Sequence, residues 1–299
     1  MSFSDSGIIV IDKPQGITSH DVVAAVRKKL GTRKVGHAGT LDPMAWGVLV
    51  IGVNQATRLL DFVVAGIKEY EATVRLGQST VSDDADGEVV TTTDASHIDD
   101  ETIVSVFSKF SGKISQVPSK VSAKKVDGKR AHALVREGVE FELKPKEVEI
   151  FECEIIDISR LDAFVDLRIR VKCSAGTYIR SIARDAGEML AVGGHLTALR
   201  RTLVAPFAIS IADSLDSDFQ LKDFHLIDMF NATTKVLPFT QVSREVALEI
   251  TFGKPLPSDL VDENGVSAIA FDSQIMAIVE KNESPELSYR AVLTTELGD

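Results

Sequence analysis

A single carboxylate, Asp42, stands in a loop that offers the clearest chemistry in this sequence. The loop reads Gly36-His37-Ala38-Gly39-Thr40-Leu41-Asp42-Pro43 and lies between apolar runs. Its glycines allow turns that other residues resist, and Pro43 favours an extended backbone at Asp42. An Asp in such a string usually closes a turn with its own side chain. No second carboxylate, Ser/Cys–His pair or metal-ligand spacing is near, so catalysis here would use Asp42 alone, as base or nucleophile.

The segments around this loop predict the elements that would hold it. Residues 7–11 and 47–53 are apolar runs of strand length, and Ser19 is placed to cap the helix that follows it. Residues 68–76 alternate apolar and polar side chains, which predicts a half-buried antiparallel strand. Tyr70 lies on the apolar face of that strand and, without further context, is a core residue.

The rest of the chain mixes strands and helices without a regular βαβ alternation. Asn54 is expected to cap a helix, and residues 82–87 are interpreted as a polar turn, because they lack the end ligands of a calcium loop. The further predicted elements are helices at 99–110, 180–190 and 243–252, and strands at 147–159, 164–172, 266–271, 275–279 and 289–293. This pattern is typical of an α+β fold with a mixed, largely antiparallel sheet in residues 1–236 and a small β-rich domain in residues 237–299.

Charge is unevenly distributed along the chain. The 33 Lys/Arg and 44 Asp/Glu residues give a net charge of −11, which argues superficially against a nucleic-acid partner. Residues 109–136, however, contain eight basic residues and one acid. Such a segment is either a phosphate-contacting surface or a solvated loop, and its charge alone favours neither.

Composition favours a soluble protein of the cytoplasm. No apolar run reaches membrane-spanning length, and residues 1–6 lack the basic and apolar regions of a signal peptide. The two cysteines, Cys153 and Cys173, make neither a disulfide framework nor a metal cluster, so reduced thiols are expected.

Seven short motifs follow one another along the chain. They are Lys13-Pro14-x-Gly16-x-Thr18-Ser19, the loop that ends in Asp42-Pro43, Lys68-x-Tyr70, Gln116-x-Pro118-x-x-Ser122-Ala123-x-Lys125, Gly128-x-Arg130-Ala131, Gly176-Thr177-Tyr178-Ile179-Arg180 and Gly194-His195-Leu196-x-x-Leu199-Arg200-Arg201. In order and spacing this set resembles the TruB family of tRNA pseudouridine synthases over most of residues 7–206. The C-terminal part resembles, more weakly, the PUA-like RNA-binding domain of that family.

The resemblance implies a pseudouridine-synthase fold and the isomerisation of one uridine, position 55 in the T-loop of tRNA. The uracil would be cut from its ribose, turned and rejoined through C5, with no metal or nucleotide cofactor. Asp42 falls on the family's essential aspartate, thought to act as nucleophile or as base on the sugar. Arg180 falls on the arginine that pairs with it, and such a bond would keep the carboxylate ionised and oriented.

The same resemblance suggests substrate contacts. Tyr70 falls on the residue that stacks on the flipped base, Tyr178 on a second tyrosine at the uridine, and Leu199 on an apolar contact to it. His37 falls on the residue that enters the RNA loop as the target base leaves. Independently of the resemblance, Lys13 beside a turn is a candidate phosphate contact, although most exposed lysines bind nothing. A base must be extruded for such chemistry, and single-stranded loops release bases most cheaply.

Two positions depart from the family pattern. Trp46 stands where a small residue such as Thr is usual, and we expect it to pack behind the catalytic loop. His132 stands where Tyr is usual. It lies in a basic stretch, about 109–145, that resembles the RNA-gripping insertion of stand-alone enzymes.

More than one function stays open at this point. The preferred one is a monomeric stand-alone enzyme that binds the T-arm of tRNA and needs no membrane or protein partner. A guide-RNA-dependent synthase subunit is the alternative within the same chemistry. A tRNA-binding folding helper would keep the same basic and aromatic contacts, and an acidic protein-interaction module would require the motif set to be chance.

Overall fold

The structure, a computed structural model, describes residues 3–119, 125–126, 129–130, 139, 141, 143–262 and 264–294. The helices in these ranges are α1 (Ser19–Leu30), α2 (Leu60–Ala65), α3 (Asp100–Ser108), α4 (Ile179–Met189), α5 (Met229–Val236) and α6 (Arg244–Thr251). The strands are β1 (Gly7–Lys13), β2 (Val35–Ala38), β3 (Trp46–Val53), β4 (Lys68–Leu76), β5 (Gln78–Thr80), β6 (Val89–Thr92), β7 (Gly112–Gln116), β8 (Lys125–Val126), β9 (Lys129–Arg130), β10 (Lys146–Leu161), β11 (Phe164–Cys173), β12 (Gly194–Val204), β13 (Phe207–Ala208), β14 (Asp213–Ser214), β15 (Ile227–Asp228), β16 (Phe239–Gln241), β17 (Gly265–Phe271), β18 (Gln274–Lys281) and β19 (Ser288–Val292). No helix of the described residues is long and apolar enough to cross a membrane.

One large mixed sheet organises the first 228 residues. Its main path runs β14-β1-β3-β12-β4-β11-β10-β7, with β2, β13 and β15 pairing at its side. Most pairs are antiparallel, whereas β1 with β14 and β3 with β12 are parallel. A separate four-stranded sheet, β16-β17-β18-β19, follows at the C-terminus. The α+β prediction, with a largely antiparallel sheet and a small β-rich C-terminal part, is confirmed.

Helices cover the sheet where its side chains are apolar. On β4 and β11 the alternation predicted from sequence places one set of residues inward, and α3 and α4 pack on that face through Ile103, Phe107 and Ile182. α1 covers β1 and β3 with its own apolar face, including Val22 and Val26. Because both sides of the central strands are occupied, the loops that follow them are held by a rigid scaffold.

The C-terminal sheet has a core of its own and also shares one with the large sheet. Ile250 and Met276 lie in its own cluster, whereas Ile275 and Ile278 are buried together with Ile8 of β1. The predicted division after residue 236 coincides with the end of α5.

Two predicted helix starts are wrong, for local reasons. α1 is capped by Thr18 rather than Ser19: Thr18 and Asp21 form a capping box, which leaves the Ser19 side chain free to bind the loop that carries Asp42. Asn54 caps nothing, because its side chain is bonded to Thr32 and to the N-terminal segment, and its backbone φ is +52°. Much of the basic stretch 109–145, with His132, lies outside the described residues.

Candidate active site

The loop that carries Asp42 is fixed at its backbone on both sides of the carboxylate. The Ser19 hydroxyl accepts a hydrogen bond from the Leu41 amide at 2.9 Å and donates one to the Leu41 carbonyl at 3.1 Å. On the other side, the Gly16 amide donates to the Pro43 carbonyl at 2.9 Å. Asp42 is therefore presented with little freedom beyond its own side-chain rotation.

Arg180, in the first turn of α4, joins two carboxylates. Its Nη2 lies 3.0 Å from Asp42 Oδ2 and its Nη1 lies 3.0 Å from Asp84 Oδ2. Nη1 also donates to the Ser82 carbonyl at 3.0 Å. The side chains of Arg180 and Asp84 are 6% and 5% exposed, whereas that of Asp42 is 41% exposed. Arg180 is thus held from inside the protein and orients Asp42 at the edge of a cavity.

The turn at 82–87 is the anchor of this arrangement, which the sequence did not indicate. Asp84 Oδ1 accepts hydrogen bonds from the Ser82 hydroxyl at 2.5 Å and from the Asp86 amide at 3.2 Å. The Ser119 hydroxyl donates to the Ser82 carbonyl at 3.0 Å. A run of short polar residues is usually solvated, and nothing in it signals burial. The interpretation as a polar turn is correct locally, but residues 82–84 of the turn are buried and hold Arg180.

A cavity of about 320 Å³ opens beside Asp42. Five residues predicted for the site line it, namely Asp42, Tyr70, Tyr178, Arg180 and Leu199. Val64, Lys68 and Arg201 line it as well and were not among the predicted site residues. The structure therefore brings together residues from four distant parts of the sequence around one cavity.

Gln116 fixes the position of Tyr178. Its side-chain amide donates to the Tyr178 carbonyl at 2.9 Å and accepts from the Tyr178 amide at 2.8 Å. Because Gln116 is the last residue of β7 and is almost fully buried, this pair ties the start of α4 to the edge of the large sheet. Gln116 was recognised in a motif, but its contact was not predicted.

Burial shifts the pKa values of two groups at the cavity, Asp42 and Tyr70. The protein atoms around the Asp42 carboxylate desolvate it, although much of its surface faces the cavity, and this raises its pKa against the opposing effect of Arg180. The predicted influence of Arg180, which favours the ionised carboxylate, therefore acts against a larger effect of burial. A carboxylate with a raised pKa is a stronger base. Burial also raises the pKa of Tyr70, so its hydroxyl stays neutral.

His37 and Lys13 lie near the cavity without lining it. His37 is half-buried on β2, 5.6 Å from the His20 ring between centroids, and burial lowers its pKa. Lys13 has no exposed surface, and its Nζ donates to the carbonyls of Pro14 at 2.9 Å and Ile17 at 2.7 Å. This geometry does not support Lys13 as a direct phosphate contact. The lysine instead fixes the turn that precedes α1.

Trp46, one of the departures noted above, begins β3 four residues after Asp42 and is paired with Arg200 of β12. Among the described residues no three His, Cys, Asp or Glu side chains are grouped closely enough to hold a metal ion.

Comparison with known proteins identifies the family. Residues 27–179 match the model of the TruB family pseudouridylate synthase, N-terminal domain. This chain belongs to the TruB family. Relatives named tRNA pseudouridine synthase B are 51% identical over 250 residues in Rhodococcus jostii (83% of this chain, 82% of the relative) and 45% identical over 284 residues in Arthrobacter sp. (92% of each). The relative in Cutibacterium acnes is 46% identical over 294 residues, 98% of this chain and 99% of its own.

Solved structures agree with a TruB-family fold. A chain from a crystal structure of a Cbf5-Nop10-Gar1 complex superposes with a TM-score of 0.71 at 26% identity, covering 96% of this chain and 84% of that one. The resemblance inferred from seven motifs is thus confirmed at the level of family and fold.

Proposed function

We propose that this TruB-family protein is a cytoplasmic enzyme that converts uridine-55 in the T-loop of tRNA to pseudouridine. It acts alone, as a monomer, and needs no guide RNA. The observation that carries this proposal is the Asp42–Arg180 pair at 3.0 Å on the wall of a cavity that also contains an aromatic and an aliphatic side chain.

The cavity suits a base that has left its stack. Tyr70 offers an aromatic face and Leu199 an apolar contact, and both line the same space as the carboxylate. A uracil held between such groups is accessible at its glycosidic bond, which is out of reach in a stacked loop. Tyr178 completes the wall, and its backbone is fixed by Gln116.

Asp42 supplies the chemistry in either of two ways. As a nucleophile it attacks C1′ of the ribose, and as a base it removes a proton from the sugar. Burial raises its pKa, which strengthens it in both roles, while Arg180 keeps one oxygen engaged and directs the other. His37, at the edge of the site, is proposed to occupy the place of the flipped base in the RNA loop.

A stand-alone enzyme is preferred over a guide-RNA-dependent subunit. The relatives at 44–51% identity are named tRNA pseudouridine synthase B, whereas the structural neighbour from the Cbf5 complex is 26% identical. Activity of the purified chain on a bare T-arm transcript separates the two.

The test is tritium release from a T-arm stem-loop carrying uridine labelled at C5, because pseudouridine formation must expel that hydrogen. Wild type, Asp42→Asn and the matched control Asp218→Asn, an exposed aspartate remote from the cavity, are compared. We expect release by wild type and the control, and none by Asp42→Asn with RNA affinity within a few-fold of wild type.

Two results would contradict the proposal. Release by Asp42→Asn at the wild-type rate would remove Asp42 from the chemistry. Tight binding by all three proteins without release would favour a guide-dependent subunit or a folding helper. Size-exclusion chromatography of the active sample tests the monomer.

A further inference from the structure

Three buried cations lie at or near the cavity, and two of them, Lys68 and Arg201, line it. Lys13 and Arg201 are 0% and 1% exposed, and Lys68 is 6% exposed. Such residues are rarely fully buried unless a carboxylate pairs with them. In the part of the chain that the structure describes, no carboxylate lies within 4.0 Å of any of the three.

Backbone carbonyls are the partners of these cations. Arg201 Nε donates to the Val48 carbonyl at 2.7 Å and its Nη2 to the Gly39 carbonyl at 2.9 Å. Lys68 Nζ donates to the Gly66 carbonyl at 2.7 Å and to the Val64 carbonyl. These bonds fix the positions of the charges but leave them without a neutralising anion.

Arg201 lies within electrostatic range of the other two cations. Arg201 affects the pKa of Lys13, Lys68 and Tyr70, which places all four groups in one electrostatic neighbourhood. Arg180, in contrast, is already shared by the carboxylates of Asp42 and Asp84. The side of the cavity around Tyr70 is therefore the positive side.

Isomerisation of uridine requires an anion at this place. When the N1–C1′ bond breaks, its electron pair stays with the base, so the uracil leaves as an anion whose charge is shared by N1 and the two carbonyl oxygens. This holds whether Asp42 bonds to C1′ or removes a proton from the sugar. The anion then forms the C5–C1′ bond with the electron pair of its ring. In the first route this bond displaces the Asp42 carboxylate from C1′, and in the second Asp42 returns the proton to the sugar. The C5 proton is then lost to solvent and N1 takes up a proton.

We propose that Lys68 and Arg201 stabilise the uracil anion between its departure from C1′ and its return through C5. Both line the cavity, and Lys13 adds a third charge within electrostatic range of Arg201. Preorganised charges in a site of low polarity stabilise a developing anion more strongly than water does, because they need no reorganisation during the reaction. This inference rests on the proposed function and names the side chains that stabilise the leaving base.

The experiment varies the leaving group. T-arm transcripts with uridine or 5-fluorouridine at the target position are reacted with excess enzyme, digested to nucleosides and separated by chromatography. Fluorine withdraws electrons from the ring, so the fluorinated base leaves more easily and depends less on the cations. Lys68→Gln removes the charge and keeps a hydrogen-bond donor, and Lys68→Met serves if Lys68→Gln unfolds. Glu69→Gln, on the other face of β4, is the matched control.

We expect Lys68→Gln to slow the uridine reaction by about a hundredfold to a thousandfold, the range for removing one preorganised donor to a developing anion. The loss on 5-fluorouridine should be at least about threefold smaller, while the control changes both rates equally. Equal losses on both substrates, or no loss on either, would overturn the inference and leave the proposed function intact. Failure of wild type to convert uridine would instead overturn the proposed function, and the inference with it.

Discussion

The buried Lys13 makes a prediction about stability that depends on pH. Burial lowers its pKa from 10.5 to about 8, against the attraction of Asp42 and Asp21. Each pKa unit corresponds to about 1.4 kcal/mol, so charged Lys13 costs the folded state about 3 kcal/mol below pH 8. Lys13 has no exposed surface, and solvent screening does not reduce this figure.

The sign of the effect follows from proton binding. Between pH 8 and 10.5 the unfolded chain still holds the Lys13 proton and the folded chain has released it. The unfolding free energy therefore rises with pH in this window. Lys13→Met lacks this contribution, so wild type should gain about 2 to 3 kcal/mol relative to Lys13→Met between pH 7 and pH 10.

The difference between the two proteins is the quantity to measure. At pH 7, Lys13→Met removes the buried charge, which stabilises the folded state. It also leaves the carbonyls of Pro14 and Ile17 without a hydrogen-bond donor, which destabilises the folded state by about 1 to 3 kcal/mol each. The two effects on stability offset one another. Other groups that titrate are common to both proteins and cancel in the difference. The change of this stability difference with pH therefore reports the titration of Lys13 alone.

Urea unfolding followed by fluorescence of Trp46, the single tryptophan, gives this difference at each pH. Lys109→Met, which replaces an exposed lysine, is the control and should track wild type at every pH. A wild-type advantage over Lys13→Met that stays constant from pH 7 to pH 10 would refute the reasoning, because it would mean that Lys13 keeps an ordinary pKa.

Three further predictions concern other parts of the molecule. Asp84→Asn removes one of the two negative charges that hold Arg180. It should slow isomerisation about tenfold to a hundredfold in single-turnover tritium release, since a hydrogen bond to a charged group is worth about 1.5 to 3 kcal/mol. An unchanged rate would show that Asp42 alone suffices to place Arg180. Gly187→Ala should destabilise the protein by more than about 3 kcal/mol in thermal unfolding, because its new Cβ would lie 2.1 Å from backbone atoms of Gly193 and Gly194. A melting temperature near that of wild type would contradict this packing. Burial raises the pKa of the Cys173 thiol to about 11. At pH 8 this thiol should therefore react with a disulfide reagent at least about a hundredfold more slowly than a free thiol. Rapid reaction would show that β11 opens.

The sequence predicted the parts of the site that its local chemistry determines. Alternation along β4 and β11 gave the right faces, because a strand with one buried side must alternate. The positions of Asp42 and Arg180 followed from motifs, and the structure places their side chains 3.0 Å apart.

The contacts that the sequence could not predict depend on burial. Asp84 lies in a turn whose short polar residues are typical of a solvated loop. Only the packing of α4 against this turn makes Asp84 a buried partner of Arg180. Lys13 reads as an exposed lysine next to a turn, yet its Nζ satisfies two carbonyls inside the protein. In each case the deciding neighbour is distant in sequence or is a backbone group, and neither leaves a pattern in residue type.

The parallel pairing of β3 with β12 determines when the cavity beside Asp42 can form. Trp46 and Arg200 are partners across this pair, more than 150 residues apart, and Gly47 allows the close approach because a Cβ there would meet the Arg201 carbonyl at 2.2 Å. The loop of Asp42 therefore meets Leu199 and Arg201 only after most of the chain has been made. Contacts of such long range form slowly. A growing chain therefore carries Asp42 long before it has the cavity that lies beside this residue in the folded protein.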